Sequence, residues 1–325
     1  MGFDVGKVRQ DFPILQQKHP PVYFDNACMT LRPRQVVGKV REYYEEYPAC
    51  AGRSVHRLST RVDEEVYKAR AGVRKFLNAR RDREVVFQRN TTEGINLVAR
   101  SFPFKKGDVV LISDKEHNSN LLPWQVAARK RGVKLEVVDS AEDNSFSMDN
   151  FKGKLEEHEG KVRMVAVGHT SNLDGATIPA GDVVKEAHRH GAKVLLDAAQ
   201  SAPHKPLDVR RMKADFLAFS GHKMLGPSGI GVLYGSEDEL SALDVDDVGG
   251  ETVQDSTYHD ATWEGLPHRF EAGLQHYAGI LGLGEAAAYL RKLGRSNVER
   301  HEASLNRALT KGLKELDGVD VIGPQ

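Results

Sequence analysis

The chain is 325 residues long, 40% hydrophobic and 28% charged, the mix of a soluble globular protein with room for about two domains. Lys plus Arg and Asp plus Glu each number 46, so the basic excess expected of a nucleic-acid-binding protein is missing. The two cysteines, Cys28 and Cys50, form no CxxC pair, which excludes a disulfide framework and a cysteine-rich zinc site, and no apolar run reaches the ~18 residues of a membrane span.

The opening MGFDVGKVRQDFP has no apolar core like that of a signal peptide, and Gly6 stands where myristoylation needs Ser or Thr. With so few cysteines, this predicts a cytoplasmic protein. Val62, Val66, Ala69, Val73 and Phe76 recur at helical spacing. Short β-type runs follow at 85–87, 109–112, 135–138, 164–167, 194–196, 216–219 and 230–234, several of them apolar at consecutive positions. Such runs predict strands buried on both faces, as in a mostly parallel sheet covered by helices. Between them, Trp124 to Arg131 reads as a helix ended by Gly132, and Pro179 opens another that Gly191 closes. Strand alternating with helix gives an α/β fold. Residues 244–267 are rich in Asp, Gly and Thr without period and read as a long loop. Two helices are expected near 275–293 and 296–316. Residues 319–322 then read as the first strand of an unfinished domain.

The strongest chemical signal is Ser220-Gly221-His222-Lys223 directly after a strand, with Gly226, Gly229 and Gly231 beyond it. A lysine in a glycine-punctuated turn at a strand end is held where a parallel sheet opens to ligands. Residues 194–200, VLLDAAQ, form an apolar strand that ends in Asp197 and then Gln200. A buried acid is costly without a partner, although a turn cap is the blander role for such an Asp. Together the two pieces point to pyridoxal 5′-phosphate, which needs a lysine amine and an acid facing its ring nitrogen. Its phosphate needs a seat. Asn90 with Glu93 fits a capping box, and a strand running into a capped helix offers free amides and a positive dipole end to an anion. Thr91 and Thr92 add hydroxyls. His117, at another strand end, can stack on a flat ring or shuttle a proton, and Asn172 can reach the ring edge or a substrate carboxylate.

The order FDNA at 24–27, RNTTEG at 89–94, EHNSN at 116–120, TSN at 170–172, LDAAQ at 196–200, SGHK at 220–223 and FEAG at 270–273 resembles the class V aminotransferase family. Within it, the sequence is most similar to cysteine desulfurases of the SufS and Csd type. The resemblance implies a fold type I homodimer with a mainly parallel seven-stranded sheet. It also implies a role in sulfur metabolism and iron–sulfur cluster assembly. By motif, Lys223 resembles the Schiff-base lysine, Asp197 the ring-nitrogen acid, Gln200 the phenolic-oxygen donor and His117 the stacking histidine. Thr91, Thr92, Ser220 and His222 resemble the phosphate seat, and Asn172 the asparagine near the substrate. Asn26, Cys28, Arg53, His56 and Gln275 fall where the family builds its substrate and dimer-facing site.

The sequence departs from the family in two places. Leu274 replaces the threonine that reaches the neighbouring subunit's cofactor phosphate, with Gln275 as its substitute. The C-terminal segment with the nucleophilic cysteine and the carboxylate-clamping arginine has no matching motif. The expected organisation is therefore an N-terminal arm at 1–20, a cofactor-binding large domain at 21–290 and an incomplete small domain at 291–325. The expected activity is conversion of cysteine to alanine plus persulfide. The thiol would come from Cys28, from Cys50 or from a separate chain supplying the missing segment, and a sulfur acceptor protein is a candidate partner. The alternatives are a non-catalytic cofactor-binding subunit, or a lyase or aminotransferase acting on another amino acid.

Overall fold

The structure is a computed structural model that describes residues 4–52 and 54–321. Seven strands build the central sheet: β1 (Val85–Gln88), β2 (Val109–Ser113), β3 (Lys134–Val138), β4 (Val162–Gly168), β5 (Lys193–Asp197), β6 (Phe216–Ser220) and β7 (Gly231–Gly235). All seven runs in the sequence are strands of this sheet. Their spatial order is β1-β7-β6-β5-β4-β2-β3. Strand β7 runs antiparallel to both its neighbours, β1 and β6, and the remaining pairs are parallel. Six strands therefore point the same way.

The helices, in chain order, are α1 (Val5–Gln10), α2 (Arg34–Glu46), α3 (Arg57–Leu77), α4 (Thr91–Ser101), α5 (Asn118–Arg131) and α6 (Met148–Glu157). They continue with α7 (Ala180–Arg189), α8 (Val209–Met212), α9 (Glu237–Ser241), α10 (Tyr277–Leu293) and α11 (Arg295–Lys314). Alternate strand residues face two cores. Val194 and Leu196 of β5 join side chains of α3, α6, α7 and α10, whereas Leu195 joins side chains of α4 and α5. Burial on both faces is why the inner strands read as apolar runs, whereas β3, at the sheet edge, is only partly buried and carries Glu136. No described helix is long and apolar enough to cross a membrane.

Three expectations need correction. Residues 244–267 hold a two-stranded hairpin, β8 (Val253–Ser256) with β9 (Ala261–Trp263). Its residues are largely exposed, so they lack the apolar alternation that marks a half-buried strand. Helix α5 starts at Asn118, six residues before Trp124, with Pro123 tolerated in its second turn. Val319, Asp320 and Val321 are not in a strand, because no strand among the described residues pairs with them; Ile322 lies outside those residues.

A buried ion pair fastens α3 and the FEAG segment to the first strand. Arg70 reaches Glu271 with both terminal nitrogens, at 2.7 and 2.8 Å, and donates to the Val85 carbonyl at 2.6 Å. Glu271 also accepts the Phe87 N–H at 2.7 Å. Burial pushes the Glu271 carboxyl up, but Arg70, His268 and the Phe87 amide outweigh it and hold it at about 2. Because this pKa is depressed, the pair stabilises the fold above the ordinary Glu value of 4.5, and that stabilisation is lost as pH falls towards about 2. Arg70→Met leaves a buried carboxylate unpaired and is expected to cost about 3–5 kcal/mol in urea unfolding at neutral pH. The double change Arg70→Met with Glu271→Met recovers much of that loss, and equal destabilisation of the single and double variants would refute the pair's role.

Candidate active site

The shared direction of six strands brings their C-terminal ends to one edge, the usual ligand edge of an open parallel sheet. There the loops leaving β1, β2, β4, β5 and β6 wall a cavity of about 510 Å³.

Strand β6 ends at Ser220, and one 3-10 turn, Gly221–Lys223, carries Lys223 into the cavity. The turn needs glycine, since a Cβ at Gly221 would lie 2.9 Å from the Ile230 carbonyl oxygen. The Lys223 amine has no hydrogen-bond or ion-pair partner among the described residues. Strand β5 ends at Asp197, whose carboxyl is buried and accepts the Ala199 N–H at 2.9 Å. Burial pushes this carboxyl up, and the Ala199 amide with the charges of Lys223 and His117 pulls it back only in part. Gln200 lines the same wall and donates to the Ala27 carbonyl at 2.9 Å.

The loop after β1 caps α4. Asn90 Oδ1 accepts the Glu93 N–H at 3.0 Å, as expected for a capping residue. The reciprocal half of the box differs: Glu93 binds the backbone and side chain of Arg89 rather than the Asn90 amide. Thr91 N–H donates to Ser220 Oγ at 2.8 Å, and the two hydroxyls are 2.7 Å apart. Thr92 and Ser119 hydroxyls are also 2.7 Å apart. The loop approaches β7 so closely that a Cβ at Gly231 would sit 2.7 Å from Asn90 Cα. The positive end of α4 and a group of hydroxyls thus face the cavity. His222 lines it too, and its pKa is lowered by burial and by the charges of Lys223 and Arg32.

After β2, His117 caps α5, its Nδ1 accepting the Ser119 N–H at 3.1 Å. Beside it Glu116 accepts from Ser113 Oγ at 2.5 Å, Asn120 Nδ2 at 2.6 Å and the Gly168 N–H at 2.9 Å. Burial raises the Glu116 carboxyl to about 7; these hydrogen bonds oppose the rise and Asp197 adds to it. After β4, Thr170, Ser171 and Asn172 line the cavity. His169 instead bonds Ser201 Oγ at 2.9 Å, and burial with the charge of Lys205 holds it near 4, hence neutral.

An N-terminal strap closes one side. The Thr30 N–H and hydroxyl both donate to the His222 carbonyl, at 2.9 and 3.0 Å, and the Thr30 hydroxyl accepts the Leu225 N–H at 2.9 Å. The strap sets Cys28, an exposed thiol, on the cavity wall. Cys50, Asn26, His56 and Gln275 are not part of this wall. His56 caps α3, accepting the Ser59 N–H at 3.4 Å, and Gln275 donates to the Ala272 and Gly273 carbonyls. Arg53 lies outside the described residues.

The donor set fits pyridoxal 5′-phosphate: a free amine for the aldehyde, a buried carboxyl for the ring nitrogen, and hydroxyls at a helix N-terminus for the phosphate. The sequence reading missed Glu116, which lies four residues past the apolar run 109–112, whereas Asp197 directly follows its run.

The family model described as aminotransferase class-V matches residues 22–325. A probable cysteine desulfurase of Synechocystis sp. is 44% identical over 323 residues, covering 98% of this chain and 76% of that protein. The apo structure of a cysteine desulfurase from Thermococcus onnurineus NA1 superposes with a TM-score of 0.93 at 37% identity, covering 98% of this chain and 78% of the other. The cysteine desulfurase CsdA of Escherichia coli gives a TM-score of 0.90 at 32% identity, with 98% and 79% covered. Motif order, fold and sequence identity agree across nearly the whole chain, which belongs to the class-V aminotransferase family.

Proposed function

We propose that this chain is a pyridoxal 5′-phosphate-dependent enzyme of the cysteine desulfurase type, converting cysteine and a thiol to alanine and a persulfide. The observation that carries this reading is one cavity holding the unpartnered Lys223 amine, the buried Asp197 carboxyl and the hydroxyl-rich N-terminus of α4. When bound, the cofactor supplies an aldehyde that joins an amine and a cationic ring that takes up electrons from the substrate.

Lys223 would be the amine that meets the cofactor's aldehyde and would move a proton at the substrate Cα, with His117 on the same cavity wall as a second proton carrier. Asp197 keeps the ring nitrogen cationic. Opposite charges ~4 Å apart at an effective dielectric of ~20 attract by about 4 kcal/mol. Gln200 donates one amide hydrogen to Ala27 and has a second for the phenolic oxygen. Thr91, Thr92, Ser220 and His222 would hold the phosphate, His117 would face the ring, and Asn172 would orient the substrate. Of the two cysteines, Cys28 lines the cavity, so it takes the sulfur-accepting position within this chain. Homodimer assembly and delivery of the sulfur to an acceptor protein complete the reading.

Alanine released from cysteine by the cofactor-loaded protein tests the proposal. Lys223→Ala abolishes alanine formation, and borohydride leaves an adduct at position 223 only in the unsubstituted protein. Cys28→Ser removes sulfur transfer while Cys50→Ser leaves it intact. Undiminished activity in Cys28→Ser places the thiol elsewhere, and bound cofactor without turnover of cysteine or any other small amino acid identifies a scaffold.

The raised carboxyl of Asp197 yields a second prediction. A carboxyl whose folded pKa lies above its unfolded value near 3.8 destabilises the ligand-free fold as pH rises past that value. Asp197→Asn removes this penalty. It is expected to raise the thermal midpoint of the ligand-free protein at pH 7 by a few degrees while weakening cofactor binding. A lowered midpoint in ligand-free Asp197→Asn would show that the buried acid contributes to the fold rather than straining it.

A further inference from the structure

We propose that Glu116 is a positioning residue that acts through His117, clamping the turn between β2 and α5 to β4 so that the His117 ring is fixed at the cavity wall. The importance of His117 rests on the functional reading above; the clamp itself is a matter of geometry.

The Glu116 carboxyl sits where three elements meet. Oε1 accepts from Ser113 at the end of β2 and from the Gly168 N–H at the end of β4. Oε2 accepts from Asn120 in the first turn of α5. Asn120 is fully buried and cannot swap its amide ends, because its Oδ1 accepts the indole N–H of buried Trp124 at 3.0 Å. The carboxyl therefore faces two donors with fixed roles, the Asn120 amide and the Gly168 N–H, together with the Ser113 hydroxyl. His117 is the next residue. Its Nδ1 caps α5 through Ser119, and the Ser119 hydroxyl meets that of Thr92. A shift at Glu116 moves the cap, the ring and the Thr92 contact together.

The turn has a second anchor. Lys115 pairs with Asp174 at 2.7 Å in the turn after β4. Losing the Glu116 clamp is therefore expected to loosen the segment rather than unfold the protein. Glu116→Gln keeps the size and one acceptor oxygen but turns an amide nitrogen towards Asn120 Nδ2, donor against donor. Ser113→Ala removes a single hydrogen bond to the same carboxyl and leaves Glu116 in place.

Two measurements decide the matter. The first uses no ligand: amide hydrogen exchange in residues 114–124 of the full chain, followed by mass spectrometry. Exchange is expected to speed up in Glu116→Gln and, to a smaller degree, in Ser113→Ala, with other helices unchanged. Unchanged exchange in both variants overturns the clamp. The second is a double-mutant cycle with His117→Ala, read as pyridoxal phosphate affinity and as the induced circular dichroism of the bound cofactor. Glu116→Gln is expected to weaken affinity about tenfold when His117 is present and by less than about twofold when it is absent. Additive effects would give Glu116 a purely structural role and overturn action through His117. If the unsubstituted protein binds no pyridoxal phosphate, the functional reading fails, and the exchange data still decide the clamp.

Discussion

The site is organised around a carboxyl placed at the end of a buried strand. Asp197 follows three fully buried residues of β5 and accepts a single backbone amide, and the charges of Lys223 and His117 offset its burial only in part. A charge in that position is unfavourable by several kcal/mol until an opposite charge faces it. A protein does not hold such a group for its own stability. The parallel sheet makes the arrangement feasible. With six strands pointing one way, the acid opens into a cavity instead of a sealed core, and a ligand can supply the missing cation.

Three buried carboxyls show how environment separates structural from functional roles. Glu271 meets Arg70 in a two-pronged pair and stays ionised, with a pKa held at about 2. It joins α3 to β1 and faces no chemistry. Glu116 has three hydrogen-bond donors but no cation, and burial leaves it at about 7. Asp197 has one backbone donor, and burial raises it as well. Glu116 and Asp197 line one cavity, and the charge of Asp197 adds to the rise at Glu116. What separates them is a cation in direct contact, as Arg70 is with Glu271; neither Glu116 nor Asp197 has one among the described residues.

The strands and the motifs at their ends were legible because each obeys a local rule. A strand buried on both faces must be apolar at consecutive positions, as 194–196 and 216–219 are, so Asp197 and Lys223 stood out against them. Features whose cause is tertiary were not legible. The β8–β9 hairpin exposes most of its residues and leaves no periodic trace. The start of α5 depends on a histidine acting as a cap, an unusual choice, and Pro123 disguises the first turns. Glu116 was not singled out, because its three partners come from β2, β4 and α5 and meet only in the fold. Cys28 and Cys50 could not be ranked by sequence. The ranking comes from Thr30, whose bonds to His222 and Leu225 draw the strap over the Lys223 turn.

The cavity is walled by strand ends, helix starts and the loops between them, and these segments are tied to one another. Ser220 bonds Thr91, Ser119 meets Thr92, Glu116 holds Gly168, Gln200 holds Ala27, and Thr30 holds His222. These links form a belt of side-chain hydrogen bonds running from β1 through β6 and closed by the N-terminal strap. Loops fixed in this way lose little further freedom when a ligand enters, so more of the contact energy appears as affinity. The belt also explains why residues far apart in sequence act as one unit. Moving Thr92 disturbs Ser119, which shifts the cap on His117, which in turn is anchored by Glu116. Precision at the cavity thus comes from cross-links between loops, while the sheet beneath supplies only their starting points.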